Sequence, residues 1–338
     1  MNIRKSKISL WALLAIATIS TVGCEKTDTD ATTTTSTTTP SSYKGTGSVS
    51  QGVGKTTTAN LFPSGMRVAA LGTITSTDGK TWTVPADVNF TNTSFPMASD
   101  LNNSYVSGRS YANTAAALAG LTGTSDIVTI DATGDIYTVF IFADNYFEMY
   151  VNGIPVGKDP VPFTNFNSNI VRFKAKKPFT VAVKCVDWEE NLGLGTEDGT
   201  KIGDGGFVAV FRDATSKIIA VTNNTWKAQT FYTAPVADLS CLTESGTSRL
   251  STNCSTQSGA LTSYGVHWAV PSDWFSTAYD DSTWPTAAVF TNSAAGVGNK
   301  PAFTNFTDVF DNSSNDASFV WSSNLLLDNL VLLRKKIE

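Results

Sequence analysis

The chain has 338 residues, of which 41% are hydrophobic and only 16% charged, with a formal charge of −5 and a single histidine. That length admits one large β-domain or two small ones. The acidic balance argues against nucleic acid or an anionic membrane surface as a partner. Thr, Ser, Asn and Gly abound, as in secreted β-proteins.

At the N-terminus Arg4, Lys5 and Lys7 precede an apolar run from Ile8 to Ile19, followed by Thr21-Val22-Gly23-Cys24. A basic region, an apolar region and a small-residue site make a secretory signal, and the run is too short for a permanent membrane helix. The site resembles a bacterial lipobox, in which Cys24 is acylated and becomes the new N-terminus; Thr21 stands where Leu is usual. The expectation is a lipoprotein signal peptide over 1–23 and an exported protein, lipid-anchored at the outer membrane or cell surface. Its only membrane contact is then the lipid. Without those residues the balance is 21 basic against 29 acidic.

The Thr/Ser-rich tract that follows has almost no apolar residue and cannot offset the entropy of ordering. It reads as a disordered tether over 24–60. Residues 61–126 then supply accessory N-terminal strands. Val68 to Ile74 and Thr81 to Val84 flank a turn at Thr77 to Lys80, with Trp82 as a core anchor. Asn113 to Leu121 is a short helix or a loop lying on the sheets.

From Ile127 onward short apolar runs recur, at 127–130, 136–142, 147–151, 169–175, 179–187, 207–211 and 218–221. Gly, Asn, Asp and Pro separate them, and helical periodicity is absent. This spacing predicts an all-β sandwich over 127–338. Asn152-Gly153 predicts a two-residue hairpin, because a type I′ turn needs positive φ at both positions. Phe147, Met149 and Val151 alternate with Glu148 and Tyr150, so a second sheet must cover the apolar face. Pro155 makes the return strand an edge or a bulged one.

Cysteine usage fits an oxidising compartment. Cys241 and Cys254 bracket a Ser/Thr/Gly-rich stretch and are expected to form a disulfide. Cys185 shares a strand face with Phe179, Val181 and Val183 and reads as a buried thiol. No Cys or His cluster has zinc spacing.

Several segments resemble one family. The run ADNYFEMYVNG from Ala143 to Gly153 is similar to a hairpin of galactose-binding-domain-like jelly rolls, including the accessory modules of bacterial α-L-rhamnosidases and related glycosidases. Gly205 to Ala209, Asn223 to Lys227, Tyr279 to Ala287, Phe319 to Ser322 and Asp328 to Lys335 resemble further strands of that module in the same order. Asn223 and Asn224 depart from its usual Thr-Asp. The resemblance implies a jelly roll that closes at Glu338 with no catalytic domain after it. It also implies a structural Ca²⁺, with Asp198 and Asp204, or Asp144 with Asn145, as ligands. No other cofactor is expected.

Catalytic readings are thin. Glycoside hydrolysis needs two facing carboxylates, and neighbours such as Glu189 and Glu190 point to opposite strand faces. Asp280 and Asp281 read as turn residues. His267 lacks a nucleophile elbow nearby and reads as a strand-end or loop residue with an exposed tip. The expected role is therefore non-catalytic binding of carbohydrate or another surface polymer, by aromatic faces and convergent polar groups on loops. The candidates are Trp188, Glu189, Glu190 and Asn191, and His267, Trp268, Asp273 and Trp274; each Trp is alternatively a cover for the sandwich. Trp226, Trp284 and Trp321 read as core. The rival role is self-association into a layer, fibre or complex, with an exposed edge near Pro155.

Overall fold

A computed structural model describes residues 43–62, 67–124, 126–161, 166–189, 191–195, 202–256, 262–311 and 316–338; the signal segment with Cys24, and Glu190 and Asp198, lie outside them. The chain is all-β. Its first strands are β1 (Ser48–Gln51), β2 (Lys55–Thr58), β3 (Leu71–Thr75), β4 (Thr81–Val84) and β5 (Ser99–Asn102), followed by helix α1 (Thr114–Ala119). Next come β6 (Ile127–Thr129), β7 (Asp135–Asp144), β8 (Tyr146–Val151), β9 (Ile154–Lys158), β10 (Ser168–Ala175) and β11 (Phe179–Val186). Then follow β12 (Gly206–Asp213), β13 (Ile218–Val221), β14 (Lys227–Val236), β15 (Thr243–Ser245), β16 (Ser248–Leu250) and β17 (Tyr264–His267). The chain ends with β18 (Ala288–Phe290), helices α2 (Pro301–Thr304) and α3 (Thr307–Phe310), β19 (Phe319–Trp321) and β20 (Asp328–Ile337).

Two large sheets form a sandwich. One runs β1-β17-β14-β20-β11-β8-β9; the other runs β18-β19-β12-β7-β10-β5, with β13 on β12 and β6 on β10. Strand alternation sorts the side chains between two faces. Phe147, Val181, Phe207, Trp226 and Trp321 meet in the interior between the sheets. The opposite faces are not left to water. Phe140, Phe142, Val208 and Val210 turn outward from the second sheet and pack under Phe303, Phe306 and Phe310 of the helical segment. Tyr146, Tyr150, Leu330 and Leu332 turn outward from the first sheet beneath Val49, Ile74, Val84, Phe95, Trp268, Trp274 and Trp284. The β8 hairpin therefore has two buried faces, not one.

The turn at Asn152 (φ 50°) and Gly153 (φ 81°) has the positive angles that a type I′ hairpin demands. Its return strand β9 is the edge of its sheet, with a register shift opposite Pro155. That edge is partly closed: Lys158 N–H donates to the Pro96 carbonyl, and Ala98 N–H to the Lys158 carbonyl.

Polar bonds fix the covering layer to the first sheet. Lys158, Glu148 and Lys184 lie side by side across β9, β8 and β11. Glu148 is fully buried. It accepts from Asn89 Nδ2 (2.9 Å) and Tyr146 Oη (3.2 Å), and Lys184 Nζ lies 3.2 Å away. Lys158 Nζ donates to the carbonyls of Asn89, Phe90 (2.8 Å) and Asn92 (2.7 Å). A buried charge is tolerated only when paired and hydrogen-bonded in this way.

Two expectations need correction. The tether does not reach residue 60: β1 is already the edge strand of the first sheet, paired with β17, and β2 pairs with β3. Tyr43 and Val49 supply the apolar surface that a Thr tract lacks. From sequence the terminal basic run Arg334-Lys335-Lys336 reads as a solvated strand end, and Arg334 departs from that. It is buried, pairs with Asp281 (2.7 Å) and donates to the carbonyls of Trp274, Ser276 (3.1 Å) and Tyr279 (3.4 Å), anchoring the 274–281 loop. Asp281 is thus an ion-pair partner as well as a turn residue.

Cys241 and Cys254 are bonded across 13 positions and Cys185 is a buried free thiol. The bridge constrains the unfolded chain, so replacing both half-cystines by Ser is expected to lower unfolding free energy by about 3 kcal/mol in urea titrations. Burial pushes the Cys185 thiol well up, so thiol reagents are expected to label it only in denaturant.

Candidate functional site

The hairpin β3–β4 stands over the outer face of the first sheet and leaves a cleft of about 540 Å³ beside it. Thr81, Trp82, Thr83, Pro85, Ala86 and Asp87 line one side; His267, Ala269, Val270, Pro271, Ser272 and Trp274 line the other, with Lys184 and Leu330 at the sheet. The geometry follows from local chemistry. The turn at 77–80 closes the hairpin through Ser76 N–H to the Lys80 carbonyl (2.7 Å). Register then sets Trp82 opposite Ile74. Strand β17 ends at His267, and its ring stacks on Trp82 with centroids 4.3 Å apart and planes 19° from parallel.

The polar groups are few. Lys184 Nζ donates to the Asp87 carbonyl (2.9 Å) and pairs with Glu148, which ties the cleft wall to the buried charge row. The Asp87 side chain is exposed. Trp82 is half-buried, with an indole N–H that has no partner among the described residues. Burial, and then the cations Arg249 and Lys80, hold His267 down at about 4. Its ring is therefore neutral at physiological pH, and the residue ends its strand as expected from sequence.

The remaining candidates lie elsewhere or inside. Trp188 is fully buried, donating through Nε1 to the Ala70 carbonyl (3.1 Å) and packing edge-on against Tyr146 (5.5 Å). Glu189 is buried too and accepts from Gly203 N–H (2.8 and 2.9 Å). Asn191 lies in the short 3₁₀ turn Asn191–Gly193. Trp268 is covered by the Arg249 guanidinium 4.7 Å from its ring centre, and that cation also lies 4.6 Å from Phe231. Burial there draws Arg249 down to about 10. Trp274 is 3% exposed and meets Tyr150 and Phe275 edge-on at 5.5 and 5.8 Å. Asp273, before it, is exposed. Among the described binding candidates, His267 and Trp274 line the cleft, and the three tryptophans serve chiefly as cover for the sandwich.

Of the implied calcium ligands, Asp198 lies outside the described residues. Asp204 lies in the field of Lys300, whose ammonium pairs with Asp144 (3.1 Å). An internal cation thus serves the acidic groups there, and no three His, Cys, Asp or Glu side chains among the described residues make a metal-holding group. Asp187, nearby, is fully buried and pushed well up by burial and then by Glu189 and Asp144.

Sequence reading missed Lys184 and Asp87; Trp82, expected as a core anchor, packs against the core and also lines the cleft. A signal for Lys184 existed: it interrupts an apolar strand on the face opposite Cys185. Its register partner, Glu148, comes from a strand more than 30 residues earlier. Comparison with protein-family models, curated proteins and solved structures finds no match.

His267 supplies a pH test because it is the single histidine. Its folded affinity for protons lies below the unfolded value of about 6.5. Its contribution to stability is therefore complete above pH 6.5 and lost as pH falls toward 4. The difference between wild type and His267→Gln is expected to change by up to about 3 kcal/mol over that window in urea titrations. Ring ¹⁵N shifts should show a neutral imidazole at pH 5.5.

Proposed function

We propose that this protein is a non-catalytic, lipid-anchored surface protein that binds carbohydrate in the cleft beside Trp82. The observation that carries this is the wall itself. A stacked Trp82–His267 pair and Trp274 give apolar surface, while Asp87, Lys184 and the hydroxyls of Thr81, Thr83 and Ser272 surround it. A pyranose ring offers a C–H face to aromatic surface and a rim of hydroxyls to such groups, a pairing found in small-molecule clefts generally. The lipobox-like stretch Thr21 to Cys24 supports display at the envelope, and the motif resemblance supports a galactose-binding-like jelly roll. A role beside separate glycosidases fits the same reading.

A second reading, assembly, has one observation in favour. All four residues of β2 are exposed at the edge of the three-stranded sheet β2-β3-β4, an edge open to strand addition. Concentration-dependent growth in light scattering, abolished by Thr57→Pro, would support assembly over capture.

A glycan array followed by calorimetry tests the main reading. Asp87→Ala is expected to weaken binding about tenfold, the worth of a hydrogen bond to a charged group. Its Tm should stay within about 1 °C of wild type, because Asp87 is exposed. Unchanged affinity in Asp87→Ala and in Trp82→Ala would move the site away from this cleft.

A further inference from the structure

Resting on the carbohydrate reading, we propose that the cleft selects uncharged saccharides and rejects acidic ones, with Asp87 as the discriminating residue. The charges at the lining decide this. Lys184 is the cation on the cleft floor, but buried Glu148 lies 3.2 Å from its ammonium and compensates it locally. An ammonium has three N–H donors. One meets Glu148 and one the Asp87 carbonyl, and the third has no partner among the described residues. Lys184 therefore offers a hydrogen bond with its charge partly offset by Glu148, the carboxylate it shares with Lys158. His267 faces the same space as a neutral ring, stacked on Trp82. Lys80, near the rim, is paired with Asp78 at 2.7 Å.

Asp87 differs from all of these. Its carboxylate is exposed, lines the cleft and has no hydrogen-bond or ion-pair partner among the described residues. Its own backbone carbonyl bonds Lys184 at 2.9 Å, so the residue that carries the free acceptor also holds the ammonium. Adjacent hydroxyls of one neutral sugar ring can donate to Asp87 and accept from Lys184 together. A uronate or sulfated sugar would bring a second negative charge against Asp87. At contact distances near a protein surface, that repulsion is worth roughly a tenfold loss of affinity, and salt screens it.

The experiment is calorimetry with the full-length protein in detergent micelles at pH 7, using three probes of equal length: neutral galactan or glucan oligosaccharides, oligogalacturonates, and cationic chitosan oligomers. Neutral oligosaccharides are expected to bind at least about tenfold more tightly than oligogalacturonates in 20 mM salt. The gap should shrink several-fold in 0.5 M salt. Asp87→Asn should bring the two within about threefold at unchanged Tm, an outcome that a purely structural Asp87 would not give. Equal or tighter binding of oligogalacturonates by wild type would overturn the proposed selectivity while leaving carbohydrate capture standing. Preference for chitosan would overturn it too, making Asp87 a counter-ion rather than a hydroxyl acceptor. Binding of none of the three, or of other glycans on an array, would remove the carbohydrate reading and this inference with it.

Discussion

The row Lys158–Glu148–Lys184 is the constraint on which the outer architecture depends. Three charges lie side by side on a sheet face that also carries the buried Arg334 and is elsewhere largely aromatic and aliphatic, under a covering layer. Such groups are costly unless every one finds partners. The 85–92 segment provides most of them: backbone carbonyls for both ammonium groups and the Asn89 amide for the carboxylate, which also accepts from the Tyr146 hydroxyl of its own strand. Hydrophobic contact alone would let the covering layer slide. The charge row fixes where it sits, and so fixes one wall of the cleft.

The inner core follows a different logic. Between the sheets the packing is almost wholly apolar, with Phe147, Val181, Phe207, Trp226 and Trp321 brought from distant strands. Nothing polar is needed there because the strand ladders satisfy the backbone. The outer layers lack such ladders to the sheets they cover and hold on through side chains: Arg334 to the 274–281 carbonyls, Trp188 to Ala70, Lys300 to Asp144. A scaffold of this kind separates stability from recognition. The sandwich supplies rigidity, and the pinned layer supplies shape.

How much of this could be read from the sequence depended on range. The Asn152-Gly153 turn, the edge at Pro155 and the shared interior of Phe147, Val181 and Trp321 were legible because period-2 patterning and turn chemistry are local. The coverage of the outer faces was not. Tyr146 and Tyr150 look like solvent-tolerant positions until Phe95, Trp274 and Phe275 arrive from elsewhere. Trp188 and Trp268 drew attention as exposed aromatics because they lie in Gly- and Pro-containing stretches. Composition signals a loop but not what a loop covers. The cleft was missed for a related reason: Trp82, Lys184 and His267 come from three separated strands, and only tertiary register unites them.

The account stands or falls on whether the charge row holds the covering layer independently of the sandwich. Amide hydrogen exchange on Glu148→Gln against wild type measures this directly. Residues 85–92 and 269–276 should lose protection by at least about tenfold, while β7, β12 and β20 keep theirs. Equal protection of 85–92 in both proteins, or a uniform loss across the whole sandwich, would contradict it.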